Sequence, residues 1–110
     1  MSAAQYNLNL SRGEDFNFTL RVIDSFEEPI VFTGSTYVAE IREEHKKPLV
    51  AAFSITSLGD GTLKFTLSNE ASLALDSMRK YKWDFFWTQS GVTTKLLYGT
   101  VTCTPNISNL

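Results

Sequence analysis

The chain has 110 residues, 43% of them hydrophobic and 20% charged, with a formal net charge of −2. That length makes one domain able to bury about two thirds of its unfolded surface, so a core can form without metal or disulfide. The slight negative charge predicts no general attraction for nucleic acid or an anionic membrane, and the single cysteine excludes an internal disulfide.

The opening Met-Ser-Ala-Ala-Gln lacks a basic region followed by an apolar core, so no secretory signal is expected and synthesis in a reducing cytoplasm follows. Without a signal, the acceptor triplets at Asn9, Asn17 and Asn106 read as coincidence. No apolar run approaches the ~18 residues of a membrane span. Residues 5–10 alternate Tyr6, Leu8 and Leu10 with polar neighbours and predict a first edge strand. Arg12-Gly13-Glu14-Asp15 makes the turn. Residues 16–23 form the second strand, with Phe16, Phe18, Leu20 and Val22 on one face and Asn17, Thr19 and Arg21 on the other. Residues 24–29 are a loop, where Pro29 cannot donate to a ladder. Ile30-Val31-Phe32 is a short apolar run before Thr33-Gly34-Ser35.

The third main strand spans 36–43, with Tyr37, Ala39 and Ile41 inward against Glu40 and Arg42. A charged connection, Glu44 to Pro48, leads to a fourth strand over 49–55. Leu58-Gly59-Asp60-Gly61 turns the chain, because glycine permits positive φ. Leu63, Phe65 and Leu67 face inward on a fifth strand over 62–67. Residues 68–75 are the one helical-looking segment. Ser68 or Asn69 caps it, and Leu73 and Leu75 plug it between two sheets. Two alternating runs, 80–88 and 93–104, then flank a short Gln-Ser-Gly turn and predict a hairpin. Residues 1–4 and 106–110 are expected to be flexible ends of a single domain spanning 1–110.

The pattern is all-β: about seven strands in an antiparallel immunoglobulin-like sandwich, with one short helical turn between strands five and six. A small barrel is the competing architecture. Tyr81 stands just inside the sixth strand, two residues before inward Trp83. In antibody-type domains a corner tyrosine precedes a disulfide cysteine by that spacing, and Trp83 would fill the space of that disulfide.

Little in the chain points to chemistry. His45 is the sole histidine and lies among Glu43, Glu44, Lys46 and Lys47, a setting too polar for a held, desolvated base. One His and one Cys leave half of a zinc tetrahedron to carboxylates. Cys103 shares the inward register with Leu97, Gly99 and Val101 and reads as a small core group. The carboxylates come as adjacent pairs, Glu14-Asp15, Glu27-Glu28 and Glu43-Glu44, whose strand neighbours point to opposite faces. No spaced calcium loop is present. Lys80 and Lys82 alternate with Tyr81 and Trp83, so charge and rings do not share one nucleic-acid platform. No catalytic, cofactor or metal residue is assigned.

What stands out is the outward register of the last hairpin, where Phe86, Leu96 and Tyr98 interrupt polar residues. Scattered surface hydrophobics are one reading. A protein-binding face is the other, since clustered aromatics and leucine match the makeup of interface cores. A stand-alone carbohydrate module is the alternative function, with Trp87 near the turn as its stacking ring.

Short motifs carry a resemblance along nearly the whole chain. They are Tyr6-x-Leu8, Arg12-Gly13-Glu14-x-Phe16, Pro29-Ile30, Phe32-Thr33-Gly34, Ala39-x-Ile41-Arg42 and Gly61-Thr62-Leu63-x-Phe65-x-Leu67-Ser68. Tyr81-x-Trp83-Asp84 and Leu97-x-Gly99-x-Val101-x-Cys103-x-Pro105 complete them. Together they resemble the immunoglobulin-like N-terminal domain of baseplate upper proteins and related virion accessory proteins of tailed bacteriophages and prophages. The resemblance implies a structural virion part that works by docking, without catalysis or cofactor. It implies other virion proteins as partners, with homo-oligomeric or multi-copy assembly helped by exposed β-edges, and a location in the particle, head or tail. Phe86-Trp87 is more aromatic than that pattern, and no fibre segment follows Leu110, which favours a small adaptor or decoration subunit.

Overall fold

The computed structural model describes residues 3–23, 26–32, 34–44, 47–105 and 107. Period-two alternation of apolar and polar residues yields nine strands among the described residues: β1 (Ala4–Gln5), β2 (Leu8–Ser11), β3 (Phe16–Arg21), β4 (Thr36–Arg42), β5 (Leu49–Ala52), β6 (Ser54–Gly59), β7 (Thr62–Leu67), β8 (Tyr81–Gln89) and β9 (Val92–Thr104). One helix, α1 (Asn69–Ser72), lies between β7 and β8. The larger sheet has the order β1-β9-β8-β4-β5, with β2 also on β9, and the smaller has β3-β7-β6. Two sheets with that order make an immunoglobulin-like sandwich, and its larger sheet carries β5 and the first-strand pieces β1 and β2 beyond the three strands of the constant type.

Two of the expected strands are each divided. The chain of the first breaks at Tyr6 and Asn7, where the Asn7 side-chain oxygen accepts from Thr100 N at 3.1 Å in place of a backbone partner. Both of its halves pair with β9 in parallel, which corrects the expectation of a wholly antiparallel fold. Ala4 is hydrogen-bonded strand, paired with Leu97, so it does not belong to a flexible end. Of the expected flexible tail, Asn106 and residues 108–110 lie outside the described residues. The other division falls at Phe53, whose N–H donates to the Ala39 carbonyl at 2.9 Å. There the chain leaves the larger sheet as β5 and enters the smaller one as β6.

Both tight hairpins use two central residues with positive φ. Asp60 and Gly61 have φ of 54° and 73°, Ser90 and Gly91 of 52° and 79°. This is the twist-matched type I′ geometry, and the pair Gln89↔Val92 closes the second turn. Gly61 has a second reason to be glycine: a Cβ there would sit 2.6 Å from the Val22 carbonyl oxygen.

The core is aromatic. Phe18 stacks on Phe65 with centroids 4.6 Å apart, and Phe65 meets Phe85 edge-on at 4.8 Å. Trp83 is 3% exposed and lies edge-on to Phe18 and Phe53 at 6.0 and 5.6 Å. Its indole N–H donates to the Tyr6 carbonyl at 2.8 Å. The Phe18–Trp83 contact spans the two sheets where antibody domains place a disulfide. The tyrosine corner is present: the Tyr81 hydroxyl accepts from Asp76 N at 2.7 Å.

The turn after β2 clamps the crossover helix from both ends. Arg12 donates through Nε to the Leu75 carbonyl and through Nη2 to that of Leu73, each at 3.0 Å. Gly13 N donates to buried Ser72 Oγ, and Asp15 accepts from Asn69 N at 2.7 Å. Ser68 caps the helix, accepting from Ala71 N. Leu75 is fully buried as the plug, whereas Leu73 is half-buried.

Candidate docking face

Strand β8 sorts its side chains by parity. Tyr81, Trp83 and Phe85 are buried inward, while Lys82, Asp84 and Phe86 belong to the outer face. On β4 the inward set is Tyr37, Ala39 and Ile41, which leaves Val38, Glu40 and Arg42 outward. The antiparallel register aligns these across strands: Val38 with Phe86 and Lys95, Glu40 with Asp84 and Tyr98, and Arg42 with Lys82 and Thr100.

Strand β9 departs from strict alternation. Phe85 pairs with Leu97, but Phe86 pairs with Lys95, so β9 carries one extra residue, Leu96. This is a β-bulge, which shifts the phase of everything before it. Leu96 turns inward and is only 6% exposed. The expected outward trio is therefore corrected: Leu96 belongs to the core, and its outward place is taken by Lys95. The Lys95 ammonium lies 5.2 Å from the Phe86 ring centroid and 3.9 Å from Asp84. It half-covers the phenyl ring with its stem and cation.

Val38 is the outward apolar residue that the sequence reading missed. It is 50% exposed, beside Phe86. Its signal was present, since it occupies the same even parity as Glu40 and Arg42. With Tyr98, 41% exposed, the apolar groups line a shallow concavity of about 680 Å³. Charged pairs border it: Arg42 bonds Glu40 at 3.0 Å, and Lys95 faces Asp84. The smaller sheet differs. Its outward residues are Asn17, Thr19 and Arg21 on β3, Thr62, Lys64 and Thr66 on β7, and Ser54 and Thr56 on β6. Outward apolar side chains within strands thus cluster on the larger sheet, with Leu58 beside the β6 bulge as the exception on the smaller one. Phe26, Val31, Leu58, Met78 and Val92 are exposed singly elsewhere, as most protein surfaces allow.

The remaining candidates have structural occupations. Trp87 packs edge-on against Phe32 at 5.2 Å and donates its indole N–H to Ser35 Oγ at 2.8 Å. Its ring is thereby engaged within the fold and half-buried. Cys103 is buried, and burial pushes its thiol above the ordinary range. Of the paired carboxylates, Asp15 caps α1 and Glu43 pairs with Arg79. His45 lies outside the described residues. Among the described residues no group of three His, Cys, Asp or Glu could hold a metal ion.

No protein-family model matches this chain, and no curated protein matches it. Among the solved structures similar in fold are two from titin. One is described as an anomalous substructure of titin A168–169, with a TM-score of 0.49 and 11% identity, covering 98% of this chain and 51% of that one. The other is titin M4 in a trigonal form, with a TM-score of 0.47 and 11% identity, covering 94% and 92%. This chain spans about half the length of the first. Likeness at that level carries no functional argument, and the immunoglobulin-like assignment stands on strand order and register.

Proposed function

We propose that this protein is a non-enzymatic docking module whose working surface is the outer face of the larger sheet. One observation carries the reading: outward apolar groups of the strands cluster on that face, while the other outer face is polar except for Leu58 beside the bulge of β6. A half-covered phenyl ring, an exposed valine and a tyrosine bordered by ion pairs have the makeup of an interface centre with a polar rim. Such a surface binds by desolvation and needs no titrating group.

The motif resemblance extends the proposal to a particle. On it, the module is a structural subunit of a tailed-bacteriophage virion, at the tail, baseplate, neck or capsid surface, with other virion proteins as partners. Mass spectrometry of purified particles tests that extension. The chain is expected as a stoichiometric component. Its absence from particles, with the protein present in the producing cells, contradicts the virion assignment and leaves the docking face to be tested on its own.

A further inference from the structure

Edges of sheets are ready templates for another strand, and folded proteins usually spoil them with bulges, prolines, breaks or short length. Three of the four outer edges here are spoiled. The β1–β2 edge is broken at Tyr6 and Asn7. Strand β5 has four residues, follows Pro48 and adjoins a bulge, and β6 carries a bulge between Ser57 and Gly59. Strand β3 has none of these devices. It runs six residues in unbroken register with β7 and has no other strand neighbour among the described residues.

We infer that the outer edge of β3 is a self-association edge, on which two copies pair antiparallel to join their smaller sheets into one of six strands. The hydrogen-bond phase shows which groups are offered. Val22 N donates to the Gly61 carbonyl at 2.8 Å, one step beyond the Arg21↔Thr62 pair. Bonded pairs recur every second residue in such a ladder, so Phe16, Phe18 and Leu20 direct their backbone groups to β7. Asn17, Thr19 and Arg21 direct theirs outward. The side chains agree. Leu63, Phe65 and Leu67 on β7 are fully buried, yet their partners Leu20, Phe18 and Phe16 are only partly buried at the edge.

Charge selects a second copy as the occupant. The polar face of this segment reads Asp15, Asn17, Thr19, Arg21, acidic at one end and basic at the other. A two-fold axis through Phe18 sets Asp15 of each copy opposite Arg21 of the other, and Asn17 opposite Thr19. The same register brings the odd-numbered backbone groups face to face as bonded pairs and the two Phe18 rings together. Both charges can join. Asp15 accepts through Oδ1 from Asn69 and retains acceptor capacity, and Arg21 makes an exposed contact to Asp60 at 3.4 Å.

Light scattering of the full chain at high micromolar concentration tests the inference. The wild type is expected at twice the 12.4 kDa chain mass. Thr19→Pro removes an N–H that β7 does not use, and should give a folded monomer whose thermal unfolding midpoint matches that of wild type at concentrations too low for dimers. A monomeric wild type, or a Thr19→Pro protein that stays dimeric, overturns the inference. Should Thr19→Pro fail to fold, Arg21→Asp decides. It sets like charges opposite twice and should weaken dimerisation at least about tenfold, and unchanged dimerisation overturns the register. Thr19 and Phe86 lie on different sheets. A dimer lost on Phe86→Asp with Tyr98→Asp would place self-association on the other face and overturn the edge assignment.

Discussion

Trp83 joins three parts of the molecule: the Phe18–Phe53–Phe65 cluster, its own strand, and the break between β1 and β2 through the Tyr6 carbonyl. Truncation to alanine removes a large buried ring and leaves that carbonyl without its donor. We expect Trp83→Ala to cost about 3–5 kcal/mol, read from urea unfolding midpoints. Gly99 opposite it is constrained from the other side, since a Cβ would lie 2.2 Å from the Tyr6 carbonyl oxygen. Gly99→Ala should therefore destabilise by about 1–3 kcal/mol and raise amide exchange in β1. Cys103 gives a pH signature. Burial raises its thiol above the ordinary 9.0, so the folded chain retains a proton that the unfolded chain releases. Its contribution to stability is complete below the unfolded pKa and declines as pH rises beyond it. Replacing Cys103 by alanine should flatten that part of the stability profile between about pH 8 and about pH 10.

At the scale of elements, the clamp from Arg12 onto the Leu73 and Leu75 carbonyls explains how a four-residue helix holds its place. A helix that short has no stability of its own. Arg12→Ala should cost about 2 kcal/mol and raise exchange across residues 69–75, with Arg12→Lys rescuing little because one ammonium cannot reproduce the planar fork. Much of the element plan was legible in the sequence. Alternation placed the seven strand regions and their inward sets, and glycine-bearing turns marked both hairpins. Three kinds of feature escaped. The switch of sheets at Phe53, with β6 running on to Gly59 where a turn was expected from Leu58, carries no local mark in the sequence. The phase shift at Leu96 was invisible because a bulge adds no distinctive residue: Lys95-Leu96-Leu97 fits either phase until the partner strand is known. The parallel placement of β1 and β2 depends on contacts about 90 residues apart, which no local pattern encodes. Of the docking face, Phe86 and Tyr98 were read correctly as outward, and Val38 was passed over although its parity marked it.

For the whole molecule, folding groups and proposed binding groups lie on different faces. The inner faces carry the aromatic core, and the outer face of the larger sheet carries the groups proposed to dock, so changes there should leave the fold intact. The most direct test is particle uptake of a Phe86→Asp, Tyr98→Asp double variant, supplied as the sole source of the protein. Such anchors cost on the order of 2 kcal/mol each when lost from a desolvated interface centre, and buried carboxylates add a further penalty. An unfolding midpoint close to wild type, together with loss of the protein from purified particles, is the expected result. Normal uptake of a folded double variant would contradict it, because docking would then use some other surface.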